Sequence, residues 1–191
     1  MEKLYTLLIS IAFLISCTEN HDFETTQLNN NTVNGADDMS AGNTTLNFYK
    51  WYRGNQNIQT RLVNNACDDT FDSTKFYSVD FKATEKYLTA LKNSGFISDK
   101  YILDWRDYFK ECDKNFKKSP INEGPPEGFD YDFVMNSQDF ETELNTVEKA
   151  KISEIMGAKE KNTVTVQFLT GTIRTFELSL VNNKWYIDKI K

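Results

Sequence analysis

Three cysteines, a single histidine and a group of closely spaced carboxylates hold most of the chemistry that this 191-residue sequence can offer. The histidine, His21, stands near the start, so no Ser-His or Cys-His nucleophile pair can form within residues 44–191. Zinc sites built on histidine and paired cysteines are excluded there for the same reason. Oxygen ligands for calcium are present in Asp68, Asp69, Asp72 and Asp80, and again in Asp130, Asp132, Asp139, Glu141 and Glu143. Neither group has the spacing of an EF-hand loop, and solvated loop charge is the simpler expectation, so no metal and no cofactor is expected. Two carboxylates do suffice for glycoside hydrolysis. Asp132 and Asp139 flank an expected loop-to-strand junction and are the pair to consider. Their alternative role is to bond nearby backbone amides in a turn.

What surrounds Cys17 defines its chemistry. Lys3 supplies a short basic start, and Leu4 to Ile15 form an uncharged, mostly apolar run. A bilayer-spanning helix needs roughly 20 apolar residues, so this run is too short to span and has the length of a signal-peptide core. It ends in Leu14-Ile15-Ser16-Cys17, which resembles the lipobox at which bacterial lipoprotein precursors are cut: a branched residue, a tolerant position, a small residue and cysteine. Residues 1–16 are therefore expected to be a signal peptide, and Cys17 the lipidated residue. Two or more acyl chains anchor stably where one binds reversibly, because each buried methylene contributes about 0.8 kcal/mol. Thr18 follows, where an Asp would favour retention in the inner membrane. An outer-membrane lipoprotein is expected, on the periplasmic face or the cell surface. With Cys17 lipidated, Cys67 and Cys112 remain in an oxidising compartment. Either they form one disulfide, or Cys112 is a small core residue and Cys67 a surface thiol.

The elements that must position these groups begin after a change in composition. Residues 18–43 contain no Lys or Arg, include Asn29-Asn30-Asn31, Gly35 and Gly42, and scatter their apolar residues without period. Residues 17–43 are therefore expected to be a lipidated flexible tether, and 44–191 a single domain. The aromatic share of 14% suits a packed core, and the net charge of −6 excludes nucleic acid as a partner. A basic partner would suit that charge.

Within 44–191 the hydrophobic period starts helical and ends at two. Thr44 or Thr45 caps a first helix with Phe48, Trp51 and Tyr52 on one face. A second covers Lys82 to Ser94, with Tyr87, Leu88 and Leu91 inward and Gly95 beyond its end. Ser98 caps a third, whose stripe is Tyr101, Ile102, Trp105, Phe109, Cys112 and Phe116. A Pro/Gly loop over 120–128 and a short extended stretch over Phe129–Met135 follow. Four strands come last: Lys151–Ala158, one through Val164, Val166 and Phe168, one through Phe176, Leu178 and Leu180, and Trp185–Ile190. Consecutive hairpins make an antiparallel meander, so the expected class is α+β, with N-terminal helices packed on a curved C-terminal sheet.

Phe48-Tyr49-Lys50-Trp51-Tyr52, Asp130-Tyr131-Asp132-Phe133 with Gln138-Asp139, and the closing Lys184-Trp185-Tyr186-Ile187-Asp188-Lys189-Ile190 resemble motifs of a family of bacterial lipoproteins of unknown function. That resemblance spans most of 44–191 and implies a cystatin-like, nuclear-transport-factor-like cone fold with a pocket at its open end. The family often has Asp-Pro-Phe where this chain has Asp132-Phe133. Trp51, Trp105, Asp132, Asp139 and Trp185 are the candidate pocket residues. Core packing is the competing role for the tryptophans. The expected function is a lipid-anchored binding or interaction domain at the cell envelope, without catalysis, taking a protein or small ligand, with the immunity-protein type as one subclass. The alternative is a carboxylate-dependent glycan hydrolase.

Overall fold

The first helix, α1 (Gly35–Arg53), buries Ala41, Thr45, Phe48, Tyr49 and Tyr52, a helical stripe that starts well before Thr44. Gly35–Asn43 is thus helix, which corrects the expected extent of the tether. A Cβ on Gly42 would run into the end of the Ile152 side chain, so glycine lets the helix approach the sheet there without displacing it. In the sequence Ala41 and Gly42 look like linker, because their partner lies far along the chain. The computed structural model describes residues 35–59, 62–64 and 76–191. Residues 1–34, with Cys17, the expected signal peptide and most of the tether, lie outside the described residues, as do Cys67, Asp68, Asp69 and Asp72.

After α1, β1 (Val63–Asn64) pairs antiparallel with β2 (Ser78–Val79). Asp80 caps α2 (Phe81–Asn93) by accepting from the Lys82 and Ala83 amides. Gly95, at φ +77°, then turns the chain. Ser98 caps α3 (Asp99–Lys118) through the Tyr101 amide at 3.2 Å. Both helices agree with their predicted bounds to within a residue, since caps and period are local signals.

The C-terminal third is a four-stranded antiparallel sheet in the order β3 (Lys151–Ala158), β4 (Lys161–Gln167), β5 (Ile173–Val181), β6 (Lys184–Ile190). With the helices before it, this is the α+β arrangement. Asn182 and Asn183, at φ 51° and 59°, make the tight turn between β5 and β6. Val164, Val166, Phe176, Leu178, Trp185 and Ile187 form the sheet's buried face, against which α1 packs. Ile97 adds a parallel bridge to Ile187 and covers the outer edge of β6. Between Leu178↔Ile187 and Glu177↔Lys189, Asp188 is the extra residue of a β-bulge.

Between α3 and the sheet the expected extended stretch over Phe129–Met135 is instead a tight turn. The Asp132 amide donates to the Ser137 carbonyl at 3.0 Å, and Asp132 Oδ1 accepts from the Val134 and Met135 amides at 2.9 and 2.7 Å. Arg174 of β5 holds the far end by donating twice to the Met135 carbonyl, at 3.0 and 2.7 Å. Next comes α4 (Glu141–Asn145). No helix among the described residues is long and apolar enough to cross a membrane.

Candidate functional site

The helical period of α3 brings Tyr101, Trp105 and Tyr108 to one side, with Asp104 and Asp107 beside them. Opposite lie Asp188, Lys189 and Ile190 at the end of β6, and the two elements enclose a groove of about 520 Å³. Trp105 is half-buried and fixed from behind. Its ring lies 4.8 Å from Phe133, 5.1 Å edge-on from Tyr108 and 5.8 Å from Phe109. Phe133 belongs to the Asp132 turn, so that turn backs the aromatic wall.

Each carboxylate of the groove has a counter-charge. Asp104 pairs with Lys100, and Asp107 with Lys110 at 2.9 Å. Asp188 is buried by its bulge and takes Lys161 Nζ and Ser179 Oγ, each at 2.9 Å. Burial pushes the Asp188 carboxyl up, but bonds from Lys161, Ser98 and Ser179 outweigh it and leave its pKa below the usual value. The groove is thus an aromatic wall rimmed by carboxylates that are each paired with a lysine. It suits an apolar, sugar-like or cationic ligand.

Beneath the wall lies a second polar assembly. Asp132 is buried, and its Oδ2 accepts from Tyr52 Oη at 2.5 Å. Burial raises its pKa above the ordinary carboxylate value, against the downward pull of Tyr52 and the two turn amides. Tyr49, Tyr52, Tyr87 and Tyr101 are buried phenols from α1, α2 and α3; burial pushes all four pKa values up, and the Asp132 charge adds to each.

Of the five candidate pocket residues, this groove takes in Trp105 alone. Trp51 lies at the edge of α1, stacked on Phe48 at 6.0 Å. Trp185 is 2% exposed in the sheet core, where β6 alternation puts it. Asp139 is exposed, while Asp132 bonds into its own turn. The two do not face one groove, which removes the geometry that hydrolysis by this pair would need. Cys112 is a free, half-buried thiol whose pKa burial raises, beside a second groove of about 440 Å³ at the C-terminal end of α3. Its pairing with Cys67 stays a proposal. Among the described residues no group of three or more His, Cys, Asp or Glu side chains is placed to hold a metal.

Sequence reasoning missed Tyr108, Asp104, Asp107 and Asp188. The signal for the first three was present: Tyr101, Asp104, Trp105, Asp107 and Tyr108 follow one helical side, and carboxylates interleaved with aromatics mark a half-exposed face rather than a core stripe. No local signal could have placed Asp188, because the bulge that turns it inward arises from pairing with β5.

No family model matches the chain, no curated protein matches it, and no solved structure matches it. The resemblance to the lipoprotein family rests on the quoted motifs alone.

Proposed function

We propose that this chain is a lipid-anchored binding domain of the cell envelope, cut before Cys17, without catalysis of its own, whose ligand or partner sits in the groove between α3 and β6. The observation that carries the binding half is the pre-formed aromatic wall of Tyr101, Trp105 and Tyr108 at a groove of about 520 Å³. The anchoring half is supported by Leu14-Ile15-Ser16-Cys17 and the apolar run before it. The resemblance of the quoted motifs to a cone-fold lipoprotein family supports both halves. A basic protein segment is the favoured partner, given the net charge of −6, and immunity proteins that neutralise incoming toxins are one class of that kind.

Two measurements test the proposal. Cys17→Ala should move the protein from the membrane fraction to the soluble fraction; a variant that stays on the membrane defeats the anchoring half. Tryptophan fluorescence of the full chain should respond to titration with short basic peptides or oligosaccharides, and the response should disappear in Trp105→Phe. If neither ligand class perturbs it, the groove is not the binding site.

A further inference from the structure

The aromatic wall of the groove is held by a residue that does not line it. Gln59 closes a 3₁₀ turn (Gln56–Ile58) that follows α1, and its side chain reaches the segment Tyr131-Asp132-Phe133. Its Nε2 donates to the Tyr131 carbonyl at 2.8 Å, and its Oε1 accepts from the Phe133 amide at 2.9 Å. On the other side of the segment the Asp132 amide bridges to Ser137. Alternate residues of a strand-like segment turn their backbone groups to the same side, so one planar side-chain amide can serve both, as a neighbouring strand would. Glutamine is the long side chain suited to this, since Glu lacks the donor and Lys the acceptor.

The two residues gripped by Gln59 are those that back the wall. Tyr131 Oη lies 3.2 Å from Tyr108 Oη, and the Phe133 ring lies 4.8 Å from that of Trp105. Tyr52 of α1 bonds Asp132 between them. Binding groups keep their productive geometry only when the groups behind them hold it to within about 0.5 Å. We propose that Gln59 is a positioning residue of the groove: by fixing Tyr131 and Phe133 it sets where the Tyr108 and Trp105 rings stand, and with them the groove's affinity, without meeting the ligand. The effect on affinity rests on the reading that the groove binds, whereas the placing of the rings does not.

Gln59→Met keeps the length of the side chain and removes both bonds. In the full chain, in detergent, it should change the near-ultraviolet dichroism of tryptophan and leave the far-ultraviolet spectrum as it was. The change should vanish in a Trp105→Phe background, which separates Trp105 from Trp51 and Trp185. Gln56→Met, whose side chain bonds the nearby Arg53 carbonyl at 3.2 Å, should leave the tryptophan dichroism unaltered. Hexalysine, titrated by tryptophan fluorescence, should bind Gln59→Met about three- to tenfold more weakly, the worth of one neutral hydrogen bond. Unchanged tryptophan dichroism in Gln59→Met overturns the proposal, and so does a change that persists in the Trp105→Phe background. An unchanged affinity, where the unsubstituted chain binds hexalysine, overturns it as well. If Gln59→Met does not fold, Gln59→Leu carries the same comparison. An unsubstituted chain that ignores hexalysine and oligosaccharides alike defeats the binding reading alone, and the dichroism still decides the role of Gln59.

Discussion

Replacing Asp132 by alanine tests the central geometry most directly. Its carboxylate accepts from Tyr52 Oη at 2.5 Å, Val134 N at 2.9 Å and Met135 N at 2.7 Å, all buried bonds. Alanine leaves three donors without an acceptor, each costing about 1–3 kcal/mol. Relief of a desolvated carboxylate offsets part of this, for a net loss of about 3–6 kcal/mol, a large share of the roughly 5–15 kcal/mol that holds a domain folded. At about 2–4 °C per kcal/mol for a chain of this size, Tm should fall by about 10–20 °C. Asp132→Asn keeps an acceptor for the turn amides and should cost about 1–2 kcal/mol. Asp139→Ala, at an exposed site, should stay within about 0.5 kcal/mol and is the control. The assay is urea denaturation followed by circular dichroism. Asp132→Ala within about 1 kcal/mol of the unsubstituted chain would refute the reasoning.

The pH dependence adds a sign. Because burial raises the folded-state pKa of Asp132, the folded chain takes up this proton before the unfolded chain does. Its contribution to stability rises as pH falls through the raised value and is complete below the unfolded value of 3.8. Asp188 runs the opposite way: its lowered pKa supplies stability above 3.8 that is lost as pH falls through its folded value. The stability advantage of the unsubstituted chain over Asp132→Asn should therefore widen between about pH 7 and about pH 4.

Three further outcomes follow from the same structure. A chain cut to 44–191 loses the burial of Ala41 and the seating of Gly42 against Ile152 and Ile155, and should be less stable than 35–191 by about 2–3 kcal/mol in urea; equal stability would put the start of α1 back at Thr44. Gly128 sits at φ +82°, and a Cβ there would come within 2.5 Å of Tyr108 Oη. Gly128→Ala should thus cost about 1–3 kcal/mol and alter the near-ultraviolet dichroism of the aromatic wall. Cys112 should react slowly with maleimide in the native protein and fully in denaturant without reductant; failure to label in denaturant would establish the Cys67–Cys112 bridge.

Legibility in the sequence followed the range of the interactions involved. Asp80 and Ser98 bond amides two or three residues away, so α2 and α3 were predictable nearly to the residue. The strands were legible because alternation is local, and so the α+β class was too. The start of α1 was not, since Gly42 lies against Ile152 on another element. The Asp132 turn was not either, because Tyr52 and Arg174 hold it from α1 and β5.

By itself the sequence determined the order of three helices before four strands, the buried alternation of β4 to β6 and the expectation of an anchor at Cys17, each of which is written in neighbouring residues. Tertiary structure alone decided which aromatic residues meet a groove and which become core. Trp105 and Trp185 have equally apolar rings, but Trp105 stands on a helix side left half open beside β6, while Trp185 points into the face that α1 covers. It also decided the fate of the carboxylates. Asp132 is buried because Tyr52 and two turn amides are there to bond it, Asp188 because a bulge turns it toward Lys161 and Ser179, and Asp139 stays in water because nothing packs over it. Burial of a charge depends on partners brought together from distant parts of the chain, and that is information a local pattern does not hold.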